Sequence, residues 1–222
     1  MDWKNEIIKT IQSMSGKYSA YEIFTDWIRC MALSISNSMS MIHDKIWQER
    51  EDMYADTMKK YEDQERMKLF EMFSKLIKAL EEGPDDVLGD IYMKSGMGSK
   101  AAGQFFTPFH LSVLTAKCAV DISKIKSNDD KIEINEPSCG GGGMIIAVAK
   151  VLHEEKIDWQ KRMKVVAQDL DWKGVYMCYV QLSLLGINAV CVQGDTLKEP
   201  YVHGKTSRRH ILVTPAAMGV LL

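Results

Sequence analysis

The sequence predicts an α/β protein in which a helical N-terminal domain precedes a domain built on a mainly parallel sheet. Two observations support this prediction. Apolar residues recur at helical spacing through roughly the first 95 residues, where no strand pattern occurs. Beyond residue 103, short apolar strands alternate with helical runs, and strands separated by helices form parallel sheets with right-handed crossovers. We therefore expect a helical domain over residues 1–95 and an α/β domain over residues 96–222.

The composition is that of an ordinary globular protein, with 222 residues, 46% hydrophobic and 26% charged. A formal net charge of -2 gives no global basic excess, so any contact with DNA must be local or shared with a partner. Five cysteines at irregular spacing, without a CxxC pair, predict reduced thiols and no metal site. Neither a signal-peptide pattern nor an apolar run of about 18 residues occurs, which predicts a cytoplasmic protein without a membrane segment.

Five helical runs are expected in the first domain. The fourth is the clearest, because Met67, Phe70, Phe73 and three later apolar residues form one stripe that ends at Gly83 and Pro84. The five runs lie near residues 3–11, 18–36, 42–61, 64–81 and 85–93.

Strands and helices alternate in the second domain, after a helix that starts at Thr107-Pro108 and covers residues 109–120. The predicted strands cover residues 131–135, 163–168, 189–193 and 210–213. The helices between the first three strands cover residues 142–153 and 172–185.

A glycine-rich turn, Glu-Pro-Ser-Cys-Gly-Gly-Gly-Gly at residues 136–143, lies between the first strand and its helix. Glycines let the backbone approach a ligand closely and adopt positive φ angles. A strand, such a turn and a helix start are typical of sites for nucleotide cofactors. A tight turn without a ligand is the alternative.

Acidic residues end the next two strands. Asp169 is placed where a carboxylate can accept hydrogen bonds from both ribose hydroxyls of a nucleoside. Asp195 lies at the carboxyl end of the third strand, at the edge where ligands of open α/β sheets bind. Helix capping is the alternative role for both residues.

Four segments together carry a family resemblance: Gly-Gln-Phe-Phe-Thr-Pro at 103–108, the glycine-rich turn at 136–143, Gln-Asp-Leu-Asp at 168–171 and Gly-Asp-Thr-Leu at 194–197. In this order they resemble the adenine-N6 DNA methyltransferases, and are most similar to the modification (methylase) subunits of type I restriction-modification systems. The resemblance implies a truncated Rossmann-like domain that binds S-adenosyl-L-methionine and methylates adenine in DNA. It further implies DNA as a partner, bound alone or with a partner subunit. The protein partners would be a second copy or a methyltransferase or specificity subunit.

The resemblance also assigns residues to the methionine end of the cofactor. Phe105 or Phe106, together with Thr107, would surround this end, although packing between the domains is the alternative for the two phenylalanines. Glu136 would hold the ammonium group, directly or through water.

At the nucleoside end, the resemblance gives the ribose hydroxyls to Asp169 and the adenine amino group to Asp195. Gly140 and Gly142 would give the backbone room beside the cofactor. The full set of cofactor-binding residues expected is Phe105, Phe106, Thr107, Glu136, Ser138, Gly140, Gly142, Asp169, Leu170, Asp195 and Thr196.

The pattern departs from the family at its catalytic tetrad, Asn-Pro-Pro-aromatic or Asp-Pro-Pro-aromatic. In the family, the side-chain oxygen of the first tetrad residue and the carbonyl oxygen of the following proline accept the two hydrogens of the adenine amino group. The aromatic ring of the tetrad stacks on the flipped base. Here the tetrad is Thr214-Pro215-Ala216-Ala217, in which Thr214 offers a short hydroxyl and Ala217 cannot stack. Thr214 and Pro215 are therefore candidate catalytic residues of a degenerate site, with an ordinary turn as the alternative. The family's later strands and recognition region have no counterpart up to residue 222.

These departures leave a second function open, namely a catalytically inactive cofactor-binding, regulatory or interaction subunit. The fourth strand would form an edge of the sheet, so we expect a helix, a terminal segment or another subunit to cover it. The basic segment 203–210 is expected to contact phosphate or to be solvated. The charged run 44–65 is expected to be a solvated helix face or a partner-binding hairpin.

Overall fold

Helices fill the first half of the chain in the computed structural model, which describes residues 1–97 and 106–219. Phe105, one of the expected cofactor-binding residues, lies outside the described residues. The helices agree with the five predicted runs to within a few residues. They are α1 (Trp3–Met14), α2 (Ala20–Ser38), α3 (Lys45–Met58), α4 (Asp63–Glu81) and α5 (Val87–Lys94).

Polar side chains determine where these helices begin. Asp2 and Asp44 accept hydrogen bonds from backbone N–H groups in the first turns of α1 and α3. Ser19 and Glu22 form a reciprocal capping box at the start of α2. Each cap satisfies N–H groups that have no partner within the helix.

The second half alternates strands and helices, and the four strand positions were predicted to within one residue at either end. Two short helices, α7 and α9, were not predicted. The elements are α6 (Phe109–Ala119), α7 (Ile122–Lys126), β1 (Ile132–Glu136), α8 (Gly143–Glu154), α9 (Trp159–Arg162), β2 (Met163–Asp169), α10 (Trp172–Leu184), β3 (Asn188–Gln193) and β4 (Ile211–Val213).

The sheet has the strand order β1-β2-β3-β4, and its first three strands are parallel. Glu136 on β1 is opposite Ala167, and Asp169 on β2 is opposite Gln193 on β3. The carboxyl ends of these strands therefore meet at one edge of the sheet, which is where ligands of parallel sheets bind.

Strand β4 runs antiparallel to β3, with Val213 opposite Val190 and Ile211 opposite Val192. The sequence had predicted a mainly parallel sheet, which the three parallel strands confirm, but it gave no direction for the fourth strand. A parallel partner needs a long crossover, usually a helix. The stretch between β3 and the 3₁₀ turn Arg208–His210 contains no α-helix, so the chain turns back along β3.

Burial alternates along β2, which shows that one face of the sheet packs on helices and the other does not. Met163, Val165 and Ala167 are buried, whereas Lys164 between them is exposed. Helix α10 covers β2 and β3, and α2 packs on the outer side of α10. One continuous apolar cluster thus contains residues from both halves of the chain. The division at residues 95 and 96 stays a prediction. Among the described helices, none has the length and apolar character needed to cross a membrane.

Candidate functional site

The glycine-rich turn joins β1 to α8 at the edge where the parallel strands end. Gly140 and Gly142 adopt positive φ angles of 48° and 90°, which side chains disfavour. A Cβ on Gly142 would lie 3.1 Å from Sγ of Cys178, and one on Gly140 would lie 2.9 Å from Cε1 of Phe106. These glycines are therefore required by the backbone conformation and by close packing, of Gly142 on α10 and of Gly140 on Phe106.

Asp169 holds this turn in place. Its Oδ2 accepts a hydrogen bond from the backbone N–H of Gly140 at 2.8 Å, and its Oδ1 accepts one from Asp171 N at 2.9 Å. The cap of α10 is Asp171, which accepts from Lys173 N at 3.0 Å. Asp169 is therefore not the helix cap, and each of its oxygens retains a lone pair.

A cleft of about 280 Å³ opens beside the turn. Five of the expected cofactor-binding residues line it together: Phe106, Thr107, Ser138, Gly140 and Asp169. Three further lining residues, Cys139, Gly141 and Gly143, belong to the glycine-rich turn that the sequence indicated, whereas Asp86, Ser112 and Met144 were not predicted. The only charged side chains among these described lining residues are the carboxyl groups of Asp86 and Asp169. This wall favours a ligand with positive charge.

Phe106 is placed for both roles that the sequence left open, and its contact with a cofactor stays a prediction. Its ring contacts that of Tyr92 on α5 in an edge-to-face arrangement, with 5.2 Å between the centroids. The same ring lies against Gly140 and lines the cleft. Phe106 thus connects the helical half to the wall of the candidate site.

The other expected residues that the structure describes do not line the cleft. Glu136 accepts a hydrogen bond from Ser138 N at 3.2 Å, and the hydroxyl of Thr196 donates to the carbonyl oxygen of Pro137 at 2.7 Å. Gly142 is enclosed by α10. Leu170 is 69% exposed.

Asp195 makes a local turn after β3. Its carboxylate accepts from Leu197 N at 3.0 Å and lies 3.4 Å from the ammonium nitrogen of Lys198. The Leu197 N–H, assisted by the Lys198 ammonium, holds the pKa of Asp195 below its ordinary value. No helix begins at Asp195, so its contacts are those of a turn and not of a helix cap, and its role as a ligand stays a prediction.

The sequence did not indicate Asp86 as a residue of the site, because it predicted only that a helix begins near residue 85. Asp86 is the N-cap of α5, with a residual exposure of 4%. Its Oδ1 accepts from Gly89 N at 3.0 Å and from the side-chain amide of Gln181 at 2.9 Å. Burial raises the pKa of Asp86 to about 6.

Gln181 connects Asp86 to the glycine-rich turn. The same amide nitrogen donates to the carbonyl oxygen of Gly141 at 2.8 Å, while its Oε1 accepts from Leu88 N at 2.9 Å. Helix α10 thereby fixes the start of α5 relative to the turn. No sequence pattern indicated this network, because its members are about 40 to 95 residues apart.

Cys139 lies in the turn but does not have the environment of a nucleophile. A hydrogen bond with Cys178 and burial raise the pKa of the Cys139 thiol well above its ordinary value. A thiol that stays protonated is a weak nucleophile, so the interpretation as a small buried residue fits its surroundings. In the described part of the chain, no three His, Cys, Asp or Glu side chains are arranged to hold a metal ion.

Thr214 and Pro215, the candidate catalytic residues, lie at the opposite edge of the sheet. The buried hydroxyl of Thr214 donates to the carbonyl oxygen of Ile187 at 2.7 Å and accepts from Ala189 N at 2.9 Å. Both partners are at the amino-terminal end of β3, because β4 is antiparallel. The structure therefore does not bring Thr214 and Pro215 together with the cleft.

Helix α3 contacts the edge strand β4 through the side chain of Arg50, and full cover of this edge stays a prediction. Arg50 donates from Nη2 to the carbonyl oxygen of Ile211 at 2.9 Å. In the basic segment 203–210, Arg208 pairs with Asp44 of the charged run at 2.8 Å, and Arg209 pairs with Glu49. The two charged segments are thus partly paired with each other.

The fold and the cleft together define an α/β protein with a candidate cofactor site at the carboxyl ends of parallel strands. The model of the family N-6 DNA Methylase matches residues 84–216, which is more than half of the chain. The chain belongs to this family. The match includes every described residue that lines the cleft.

The chain is similar to two further proteins. The chain is 30% identical over 125 residues to the type I restriction enzyme MpnII methylase subunit of Mycoplasma pneumoniae. This match covers 53% of the chain but only 22% of that subunit. A solved structure from Listeria monocytogenes, described as a class I S-adenosylmethionine-dependent methyltransferase, has a TM-score of 0.43 and 12% identity. That comparison covers 85% of this chain and 52% of the Listeria protein.

Proposed function

We propose that the cleft beside the glycine-rich turn binds S-adenosyl-L-methionine, and that the chain supplies the cofactor-binding part of a DNA adenine-N6 methyltransferase. The observation that supports this most strongly is the hydrogen bond from Gly140 N to Oδ2 of Asp169 at 2.8 Å. It brings a bare stretch of backbone and a carboxylate to the same point, which is the arrangement needed to hold a nucleoside.

The residues present fit this cofactor. Its sulfonium and ammonium groups are cationic, and both charged groups that line the described cleft are carboxyl groups. Asp169 would accept hydrogen bonds from the ribose hydroxyls through its remaining lone pairs. Phe106 and Thr107 would lie against the methionine end. When bound, S-adenosylmethionine supplies an electrophilic methyl group.

Transfer to adenine in DNA is the further part of the proposal, supported by membership of the N-6 DNA Methylase family. The amino group of adenine needs an acceptor for its protons close to the cofactor. Thr214 lies at the opposite edge of the sheet, with its hydroxyl bonded to the backbone of β3. We therefore expect the acceptor to come from a partner, either a second copy of the chain or a methyltransferase or specificity subunit.

Isothermal titration calorimetry with S-adenosylmethionine tests the first part of the proposal. The wild-type protein should bind, and Asp169→Ala should weaken binding about tenfold or more, because it removes the ribose acceptor and loosens the turn. Glu133→Gln is the control, since this β1 carboxylate is exposed and pairs with Lys164 at 3.1 Å. Absence of binding by the wild-type protein would rule out the proposed function.

Transfer is measured with cofactor that carries a radiolabelled methyl group, on mixed-sequence DNA, with and without a type I specificity subunit. We expect label in adenine only when the partner is present. Label without any partner would contradict the expected role of the partner. Binding without transfer under either condition would instead assign the chain as a catalytically inactive cofactor-binding subunit.

A further inference from the structure

Two buried polar groups in the cleft have unused hydrogen-bonding capacity. Asp86 is 4% exposed, and its hydrogen bonds within the described residues all end on Oδ1. Ser112 on α6 is fully buried, and its hydroxyl has no hydrogen-bond partner among the described residues. Both residues line the cleft. Buried polar atoms are normally satisfied, so the Ser112 hydroxyl, in the same cleft as the Asp86 carboxylate, indicates a place for a ligand or an ordered water.

The two oxygens lie close to Gly143, the first residue of α8. A Cβ added at Gly143 would lie 2.9 Å from Oδ2 of Asp86 and 4.0 Å from Oγ of Ser112. The absence of a side chain at Gly143 therefore lets the carboxylate oxygen and the hydroxyl approach the same point of the glycine-rich turn. A primary ammonium group, with three N–H donors, suits two such acceptors.

We propose that Asp86 and Ser112 form the subsite for the α-ammonium group of the amino-acid end of S-adenosylmethionine. This inference rests on the proposed function and names residues outside the four segments that carry the family resemblance. The resemblance assigned the ammonium group to Glu136. However, Glu136 does not line the described cleft, and its Oε1 already accepts a hydrogen bond from Ser138 N.

The charge of the subsite supports this assignment. A buried carboxylate with one unpaired oxygen is costly unless a cation or a proton compensates it. Lys4 pairs instead with the neighbouring carboxylates of Asp85 and Asp90, at 2.6 Å and 2.7 Å. Asp86 itself has no ion pair among the described residues, so the charge is left for a ligand to balance.

A purely structural role for Asp86 is the rival explanation, because it caps α5 and is bonded to Gln181. Asp86→Asn separates the two roles. Asparagine caps helices as well as aspartate does, and its side-chain oxygen can accept from both Gly89 N and Gln181. The variant loses the negative charge and places an N–H donor where Oδ2 was the free acceptor, whereas the cap and the contact with Gln181 are kept.

Calorimetry with three ligands tests the subsite. S-adenosylmethionine and S-adenosylhomocysteine carry the amino-acid end, whereas 5′-methylthioadenosine lacks it. We expect Asp86→Asn to weaken binding of the first two about tenfold or more and to leave the third within about twofold. Ser112→Ala should show the same selectivity with a smaller loss. Asp85→Asn is the matched control and should bind all three ligands as the wild type does.

Three outcomes would overturn the subsite. Equal losses of affinity for all three ligands in Asp86→Asn would show that Asp86 has a structural role only. Unchanged binding of all three would exclude a contact between Asp86 and the ligand. A loss confined to ligands with the amino-acid end in Glu136→Gln, but not in Asp86→Asn, would restore Glu136 as the ammonium ligand. These results differ from a failure of the proposed function, in which the wild-type protein binds none of the three ligands.

Discussion

The backbone N–H of Gly140 donates a hydrogen bond to Oδ2 of Asp169, with 2.8 Å between the two atoms. This contact joins the turn after β1 to the end of β2 across the parallel sheet. It aligns the two features that a nucleoside requires, an accessible backbone and a carboxylate for the ribose. Four predictions test the surrounding structure.

Asp86→Asn is predicted to stabilise the fold at neutral pH. Burial raises the pKa of Asp86 to about 6 from its ordinary value of 3.8, although hydrogen bonds from Gln181 and Gly89 oppose the shift. Between these two pH values the folded state binds a proton that the unfolded state has lost, so stability falls as pH rises through this window. Above about pH 6 the full cost is present, on the order of 2–3 kcal/mol.

Urea unfolding of both proteins at pH 8 and pH 4 measures this effect. Asp86→Asn should be more stable than the wild type at pH 8, and the difference should be much smaller at pH 4, where Asp86 is protonated in the folded state and about half protonated in the unfolded state. The neighbouring carboxylates Asp85 and Asp90 also raise this pKa, and they are paired with Lys4. Asp85→Asn is measured in parallel, so that the loss of this neighbouring charge is separated from the loss of the Asp86 charge. Equal destabilisation by Asp86→Asn at both pH values would contradict the prediction.

Gly142→Ala is predicted to destabilise the protein by about 2–4 kcal/mol, from backbone strain and from a clash. The φ of Gly142 is 90°, and the new Cβ would lie 3.1 Å from Sγ of Cys178. Gly204 has a φ of 77° with no atom near its Cβ position. Gly204→Ala should therefore show the strain alone, about 1 kcal/mol. Equal changes in the unfolding free energy of the two variants would show that the turn does not pack as described.

Thr214→Val is predicted to lower stability by about 1–3 kcal/mol without changing cofactor affinity. Valine has the shape of threonine but removes the donor to Ile187 O and the acceptor for Ala189 N. The variant is compared with the wild type by chemical denaturation and by calorimetry with S-adenosylmethionine. A stable variant with weakened binding would place Thr214 at the cofactor site after all.

Arg50→Met is predicted to loosen β4. It keeps much of the apolar volume of the side chain but removes the hydrogen bonds to Ile211 O at 2.9 Å and to Oγ of Ser36 at 2.7 Å. Amide hydrogen exchange in residues 211–213 should become about tenfold faster or more. Lys59→Met, a change of an exposed residue directly after the last residue of α3, is the control. Unchanged exchange in the arginine variant would show that α3 does not protect this edge.

The sequence predicted those features that depend on local pattern. Strand and helix positions followed from apolar periodicity, and the meeting of Gly140 with Asp169 followed from the rule that parallel strands end at one edge. Asp169 ends β2, and Gly140 lies in the turn that follows β1. Their approach could therefore be predicted without knowledge of tertiary packing.

Features that depend on distant contacts were not predicted. Asp86 reaches the cleft because α5 packs against α10 and Gln181 bridges them, and no local pattern records that contact. The direction of β4 depends on the connection after β3, which contains no α-helix. The pairing of Arg208 with Asp44 joins residues 164 positions apart.

A crystal structure of the protein grown with S-adenosylhomocysteine tests the central claim most directly. We predict that the nucleoside lies against Gly140, with the ribose hydroxyls within hydrogen-bond distance of the Asp169 carboxylate. A ligand bound elsewhere, or an Asp169 carboxylate that faces away from a ligand in the cleft, would contradict it.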